Sequence, residues 1–327
     1  MVSYLLRRLV WTIPNLIAVS VVAFIIIQLP PGDWATAYAA SLRATGEELS
    51  PTEIQDLRSR YGLDDPMPVQ YMKWMSGVVT GDFGRSFQWN AAVSEIVPSR
   101  LQLTLIVSIS TLLITWVIAF PIGIYSAVRQ HSLGDYIATF IGFIGLAVPN
   151  FLLALIMLYI GLKVFGVTLT GLFSPEYADA PWSMGKVVDM LSRLWIPVLI
   201  LGTSGTAGLI RVMRANLLDE LKKPYVITAR AKGLPEWRVI MTYPVRVALN
   251  PFISTVGWVL PGLVSGTVIV AIVLNLPTTG PMLLNALQSQ DMYLAATFVL
   301  MLSLLTVVGT LVSDILLAWL DPRIRYR

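Results

Sequence analysis

Six stretches of this chain contain no Asp, Glu, Lys or Arg, and they constrain its fold more than any other feature. They are Leu9–Gln28, Leu101–Val128, Tyr136–Leu162, Leu194–Ile210, Val247–Gln290 and Met292–Ser313. A helix crossing a bilayer needs about 20 consecutive apolar residues. Inside lipid the backbone must satisfy its own hydrogen bonds, so such stretches read as helices. Hydrophobic residues make up 56% of the chain and charged residues 13%, against about 25% charged in a soluble domain. The expectation is an all-α integral membrane protein of about six transmembrane helices.

The first stretch follows Arg7 and Arg8 and resembles a secretory signal at its start. It outlasts a signal core of roughly 7–15 residues, and it ends at Pro30-Pro31-Gly32, short of the small residues Ala37 and Ala39. It is read as a retained first span. The stretch Leu194–Ile210 lies near the lower limit of ~17 residues and is expected to continue past Arg211. Val247–Gln290 is too long for one span. Asn275, Pro277, Gly280 and Pro281 divide it into a fifth helix at about Pro251–Leu274 and an uncharged loop or short re-entrant element.

Basic residues set the orientation. Arg7, Arg8 and Arg129, the cluster between Arg211 and Arg246, and Arg323, Arg325 and Arg327 share one side of a six-span chain. Both termini are therefore expected in the cytoplasm. The division that follows is a tail and first span over 1–29, an external helical segment over 30–100, and a five-helix core over 101–327 with a cytoplasmic loop at 211–246.

The external segment carries its own helix signals. Ser50-Pro51-Thr52-Glu53 is a capping box with proline at the first helical position, and Gly62 closes that helix. A second helix is expected over Pro68–Val79, before Gly81. The pair is read either as a surface cap or as a docking site for a soluble partner. The loop Lys163–Arg193, with Pro175, Pro181 and Trp182, is read as interfacial.

The loop 211–246 exceeds what a connector needs. Pro224 opens and Gly233 closes a two-turn helix, Tyr225–Lys232, with Arg230 and Lys232 near its C-terminus, where the helix dipole favours cations. Ala229 and Ala231 keep parts of its surface small, so another backbone can approach. A short rigid helix outside the bilayer suits transmission of a push. It equally suits an amphipathic helix resting on anionic lipid.

Other chemistry is weakly supported. Without cysteine and with His131 as the single histidine, thiolate and histidine metal sites drop out, and no catalytic constellation is found. No Gly-x4-Gly-Lys-Ser/Thr phosphate loop occurs. The span centres hold no ionisable residue of the sort that proton-driven pumps use. Asp291 and Asp314 lie near span ends and are read as snorkelling or capping. Gly202, Gly205 and Gly208, with Ser204 and Thr206 between them, suit close helix packing or a lining of the path. Pro261-Gly262 suits a bend in the fifth span and Pro149-Asn150 a similar one in the third, and Asn150 is a polar group needing a partner.

The segment Thr228-Ala229-Arg230-Ala231-Lys232-Gly233-Leu234, followed by Arg246-Val247-Ala248-Leu249-Asn250-Pro251, resembles the cytoplasmic loop of ABC importer permeases, in particular the dipeptide/oligopeptide family. The likeness extends to Tyr4–Leu9 with Pro14 and Pro31-Gly32-Asp33, to Tyr61-Gly62-Leu63-Asp64, to Gly81-Asp82-Phe83-Gly84-Arg85-Ser86, and to Leu101–Leu105. It also takes in Pro121-Ile122-Gly123, Pro149-Asn150-Phe151 and Asp321-Pro322-Arg323. The loop motif's usual Glu-Ala-Ala is here Ile227-Thr228-Ala229, so its acidic residue is absent.

The resemblance implies a type I importer permease of the bacterial inner membrane. Tyr225, Thr228, Ala229, Arg230, Ala231, Lys232, Gly233 and Leu234 would meet the ATPase. The implied partners are a second homologous permease, two ATPase subunits that use ATP and Mg, an external solute-binding protein and membrane lipid, with no nucleic acid. No cofactor is expected on this chain and no enzyme activity of its own. The substrate class would be peptides or a related small solute such as an oligosaccharide. The rival reading is a stand-alone secondary carrier or channel whose cytoplasmic helix rests on lipid.

Overall fold

The computed structural model describes residues 2–250, 252–253 and 268–320. Among these it is helical, with short connectors and one longer segment without a helix over 166–183. The helices are α1 (Val2–Gln28), α2 (Trp34–Thr45), α3 (Pro51–Tyr61), α4 (Met67–Thr80), α5 (Val93–Val128), α6 (Leu133–Ala147) and α7 (Asn150–Phe165). There follow α8 (Met184–Leu221), α9 (Pro224–Ala231), α10 (Glu236–Thr242), α11 (Pro244–Ala248), α12 (Val268–Val273), α13 (Thr279–Gln288) and α14 (Met292–Leu320). Four of these, α1, α5, α8 and α14, are long and apolar enough to cross a membrane. The bent pair α6–α7 makes five if it is one span. Most of the fifth helix expected at Pro251–Leu274, with Pro261 and Gly262, lies outside the described residues. So do Asp321-Pro322-Arg323.

The expected single span Tyr136–Leu162 is instead two helices meeting at 97°. Proline is the cause. Val148 precedes Pro149 and is pushed into extended backbone (φ −86°, ψ 119°). Pro149 has no N–H to continue the ladder and sits as the cap of α7 at φ −60°, ψ 136°.

The chain forms two compact units, Met1–Thr104 with Pro277–Val307, and Leu105–Leu276 with Val308–Arg327. In the first unit the external segment is not a body of its own, although the sequence set 30–100 apart. Its aromatic residues share one core with α1 and the start of α14: Phe24, Trp34, Trp74, Phe87, Met292 and Phe298 are all buried there. Trp34 stacks on Tyr38 at 5.1 Å and takes the edge of Tyr61 at 5.0 Å.

Capping explains the short external helices. Ser50 Oγ accepts from Glu53 N while the Glu53 carboxylate accepts from Ser50 N at 2.7 Å, and that bond holds Glu53 below its ordinary pKa. Helix α2 escaped the sequence reading. Its box pairs Asp33 with Thr36, which exchange bonds of 2.9 and 2.8 Å, where Glu or Gln is usual at the third position. Between α12 and α14, where a loop or a short re-entrant element was expected, stands the short helix α13, and Thr279 N donates to Thr104 Oγ1 at 2.9 Å.

Of the two roles expected for Asp291, it takes capping: its side chain accepts from Leu294 N and its carbonyl from Ala295 N in the first turns of α14, and it does not snorkel. It is fully buried ahead of α14 and accepts from Ser86 Oγ, from Gln88 N at 3.1 Å and from Leu294 N at 3.3 Å. Burial raises its pKa against the pull of those donors. Three donors from the unit's own backbone and hydroxyls replace water, which removes the reason to reach for the interface.

In the second unit α8 is longer than the hydrocarbon of a bilayer is thick. At 1.5 Å per residue, the 38 residues of α8 reach about 57 Å, against about 30 Å of hydrocarbon. The extra length of α8 past Arg211 carries the loop region.

Candidate functional site

The charged stretch 211–246 folds into a layered element built on the end of α8. Met213 and Leu217, four residues apart on α8, are fully buried. They share a core with Ile240 of α10, Val245 and Ala248 of α11, and Ala127 at the end of α5. Helix α9 packs through a second, smaller core of Val226, Ala229 and Val239, with Leu234 against it. The two cores meet in α10, where the neighbours Val239 and Ile240 face one each.

Helix α9 starts at Pro224 in its first turn and ends where Gly233 N donates to Arg230 O at 2.9 Å. Gly233 sits at φ +76°, left-handed backbone that glycine adopts without the Cβ penalty. Thr228 Oγ1 donates to Pro224 O at 3.0 Å. Tyr225 donates to the Glu220 carboxylate, and burial, followed by that bond, pushes its phenol above the usual range. Arg230 grips Glu236, with Nε 3.1 Å from both carboxylate oxygens and Nη2 2.6 Å from Oε1. That pairing lowers the Glu236 pKa and raises that of Arg230.

The residues expected to meet a partner therefore divide. Tyr225, Thr228, Arg230, Ala231, Lys232 and Gly233 are exposed. Ala229 is buried at 5% exposure and Leu234 is half-buried against the same core. Their small or apolar side chains serve the packing of α9 on α10, and of the two alanines only Ala231 is exposed. Ile227, at the position of the motif's missing acid, is 59% exposed. Arg230 already holds an internal carboxylate, whereas Lys232 forms no ion pair among the described residues.

Among the described residues, those considered for a path do not share one site. Asn150 is the first residue of α7, half-buried beside the 97° break. Ser204 and Thr206 are half-buried on α8. Thr206 lines a cavity of about 400 Å³ among α5, α6 and α8, with Thr115 and Thr203; neither Ser204 nor Asn150 lines it. Gly202 supports the packing reading, since a Cβ there would stand 3.1 Å from Thr115 Oγ1. Gly208 has open space beside it.

The sequence reading passed over Asp135 and Arg214. Asp135, at the start of α6, accepts from Arg214 Nε at 2.8 Å and Nη2 at 2.9 Å. His131 N adds a third bond at 3.0 Å. The only local signal is Ser132, whose hydroxyl accepts from Asp135 N and marks a helix start. Nothing in the sequence links positions 79 residues apart.

Residues 119–326 match the family model of the binding-protein-dependent transport system inner membrane component, and residues 1–109 match the model of its N-terminal part. The chain belongs to that family. It is a permease component of the bacterial inner membrane, and its apolar helices are the spans of such a permease. It is 35% identical over 327 residues to the oligopeptide transport system permease protein AppB of Bacillus subtilis, covering 100% of both chains. It is 30% identical over 327 residues to the glutathione transport system permease protein GsiC of Salmonella paratyphi A, again over 100% of both. To the dipeptide transport system permease protein DppB of Escherichia coli K12 it is 28% identical over 345 residues, with both chains fully covered.

Proposed function

We propose that this permease forms part of the translocation path of an ATP-driven importer of peptides, and that the helix at 224–233 receives the movement of an ATPase subunit. The observation that carries the reading is α9 itself. One face is locked through α10 into α8, and the other stands exposed from Tyr225 to Lys232. A lever needs both a rigid root and a free face. The oligopeptide, dipeptide and glutathione relatives named above support a peptide as the solute.

In this reading α9 and both termini face the cytoplasm, as the basic residues argue. A second homologous permease completes the path and two ATPase subunits use ATP and Mg. An external solute-binding protein delivers the peptide, and the chain has no hydrolytic activity of its own.

The test is co-purification of the tagged chain from detergent, then ATP hydrolysis in lipid with and without the external binding protein. Co-purifying ATPase stimulated by the binding protein is the expected result. A chain that purifies alone and moves solute down an ion gradient would make α9 a lipid-resting helix and overturn the proposal.

A further inference from the structure

We propose that α6 and the cytoplasmic part of α8 move as one body with the coupling helix, that Asp135 and Arg214 are the positioning residues that clamp them, and that the Val148–Pro149 break is the pivot. This rests on the reading of α9 as the ATPase lever. It adds the route by which movement leaves the loop and reaches a spanning helix.

The route starts where α9 ends. Push on α9 passes through Val226 and Ala229 to Val239, and from its neighbour Ile240 into Met213 and Leu217 of α8. Arg214 follows Met213 directly. The same turns of α8 therefore hold the lever unit through Met213 and Leu217 and hold α6 through Arg214.

The clamp is built for direction. Asp135 is 2% exposed and takes a two-pronged grip from Arg214, 2.8 and 2.9 Å. A forked guanidinium–carboxylate pair fixes angle as well as distance, which one lysine contact would not. His131 N anchors the same carboxylate to the turn between α5 and α6.

Further along, at the rim of the cavity they share with α5, α6 and α8 touch at two glycines. A Cβ on Gly145 would stand 3.1 Å from Thr203 Cγ2 and 3.4 Å from Thr203 O; one on Gly142 would stand 3.8 Å from Ala207 Cβ. Close-packed helices shift as units. The end of α6 is different. Val148 N makes its last bond, to Ile144 O, at 3.0 Å, and α7 begins at Pro149 without a side-chain cap. Neither end carries a ladder bond across the break, so a change of φ and ψ is absorbed there.

The absence of cysteine makes the test direct. The Gly142–Ala207 separation of 3.8 Å between Cβ positions matches the usual disulfide spacing of about 3.8 Å. In the assembled transporter, Gly142→Cys with Ala207→Cys is oxidised in lipid and compared with its reduced form. If α6 travels with α8, uptake is the same before and after oxidation. Next, Asp135→Ala is expected to lower uptake per ATP hydrolysed by roughly tenfold or more, since it leaves Arg214 without its buried partner. Oxidising the cysteine pair in that background is expected to restore uptake, which a merely folding role for Asp135 would not allow.

Oxidation that abolishes uptake in the Asp135 parent, reversed by reductant, would show that α6 slides on α8 and would overturn the clamp. Failure of oxidation to rescue Asp135→Ala would overturn the positioning role. A reduced parent with no ATP-dependent uptake at all would instead overturn the importer reading, and this proposal with it.

Discussion

Substitution of Gly233 separates backbone strain from packing more cleanly than any other change in the loop. The residue sits at φ +76°, and a Cβ placed there meets no heavy atom within 4 Å. Steric clash therefore contributes nothing and no lost contact enters. What remains is the left-handed backbone, which costs an L residue about 1–2 kcal/mol. Asparagine tolerates this region best among the non-glycine residues and a β-branched side chain worst. Since 1.4 kcal/mol is a factor of about ten in population, Gly233→Val should shift the Gly233 N to Arg230 O closure toward its open form by about tenfold. Gly233→Ala should open it less, and Gly233→Asn least. ATP-driven uptake in membrane vesicles, normalised to the amount of chain in the membrane, should rank glycine, asparagine, alanine, valine. The amount inserted should not change, because the strain is confined to one turn at the surface. Wild-type uptake by Gly233→Val would refute the argument. So would equal losses for asparagine and valine, which would point to the side chain's presence and not to φ.

Three further outcomes follow from the same packing. Ala229→Leu forces three carbons into the core of Val226 and Val239, at about 1–3 kcal/mol, and should speed tryptic cleavage after Lys232 by loosening α9, while Ala231→Leu on the outer face should not. Glu236→Gln should cost little, about 0–1 kcal/mol, because Arg230 and Glu236 are 42% and 55% exposed. Glu236 has its pKa lowered by folding, so its contribution is complete above the ordinary value near 4.5 and is lost as pH falls through the lowered one. Unfolding of wild type and Glu236→Gln in detergent should therefore differ by a constant amount at neutral pH and converge only in strong acid. Asp291 has the opposite sign. Burial raises its pKa, so the folded chain binds the proton more tightly and should gain stability as pH falls through that raised value toward 3.8. Asp291→Asn should remove this acid gain in a thermal-unfolding series, and an unaltered series would show that Ser86 and the backbone donors already offset the burial.

Legibility in the sequence followed the range of the interaction involved. Ser50, Pro51, Glu53 and Gly62 announced α3 because capping is settled within one turn, and Pro224 with Gly233 announced α9 for the same reason. Asp33 with Thr36 performs the same service for α2, yet threonine at the third position is not the usual partner, and the helix went unread. Pro149 signalled a bend, but the sharpness of the break at Val148–Pro149 was hidden by its setting. Apolar residues continue on both sides, so a hydropathy criterion joins two helices that proline separates. Ala229 was read as outer surface because its size suits close approach, and size alone does not tell the two faces of a two-turn helix apart. Its neighbour Val239 decides that, and a contact across ten residues of loop is not written in either segment. The pairing of Asp135 with Arg214 is further still from any local pattern. Two ordinary charges near span ends become one buried contact only when α6 is laid on α8.

One short element of the loop region is the one on which the rest depends. Helix α10 has seven residues and two duties. Val239, fully buried, closes the core under α9; Ile240, one position on and about 100° around the helix, closes the core on α8 and α11. Any motion of α9 that keeps its own core intact must rotate or carry α10, and α10 cannot move without displacing Met213 or Leu217. Truncation of these two neighbours should therefore fail in different ways. Val239→Ala loosens α9 from an otherwise intact scaffold, so the lever fits its partner but pushes on nothing, and hydrolysis should persist with little uptake. Ile240→Ala leaves α9 and α10 joined but undermines the scaffold, with a cost of about 2–5 kcal/mol for a buried isoleucine, so the amount of folded chain should fall first. Hydrolysis and uptake measured on the same vesicles distinguish the two, and a matched loss of both activities in Val239→Ala would show that α9 does not drive the spans through α10.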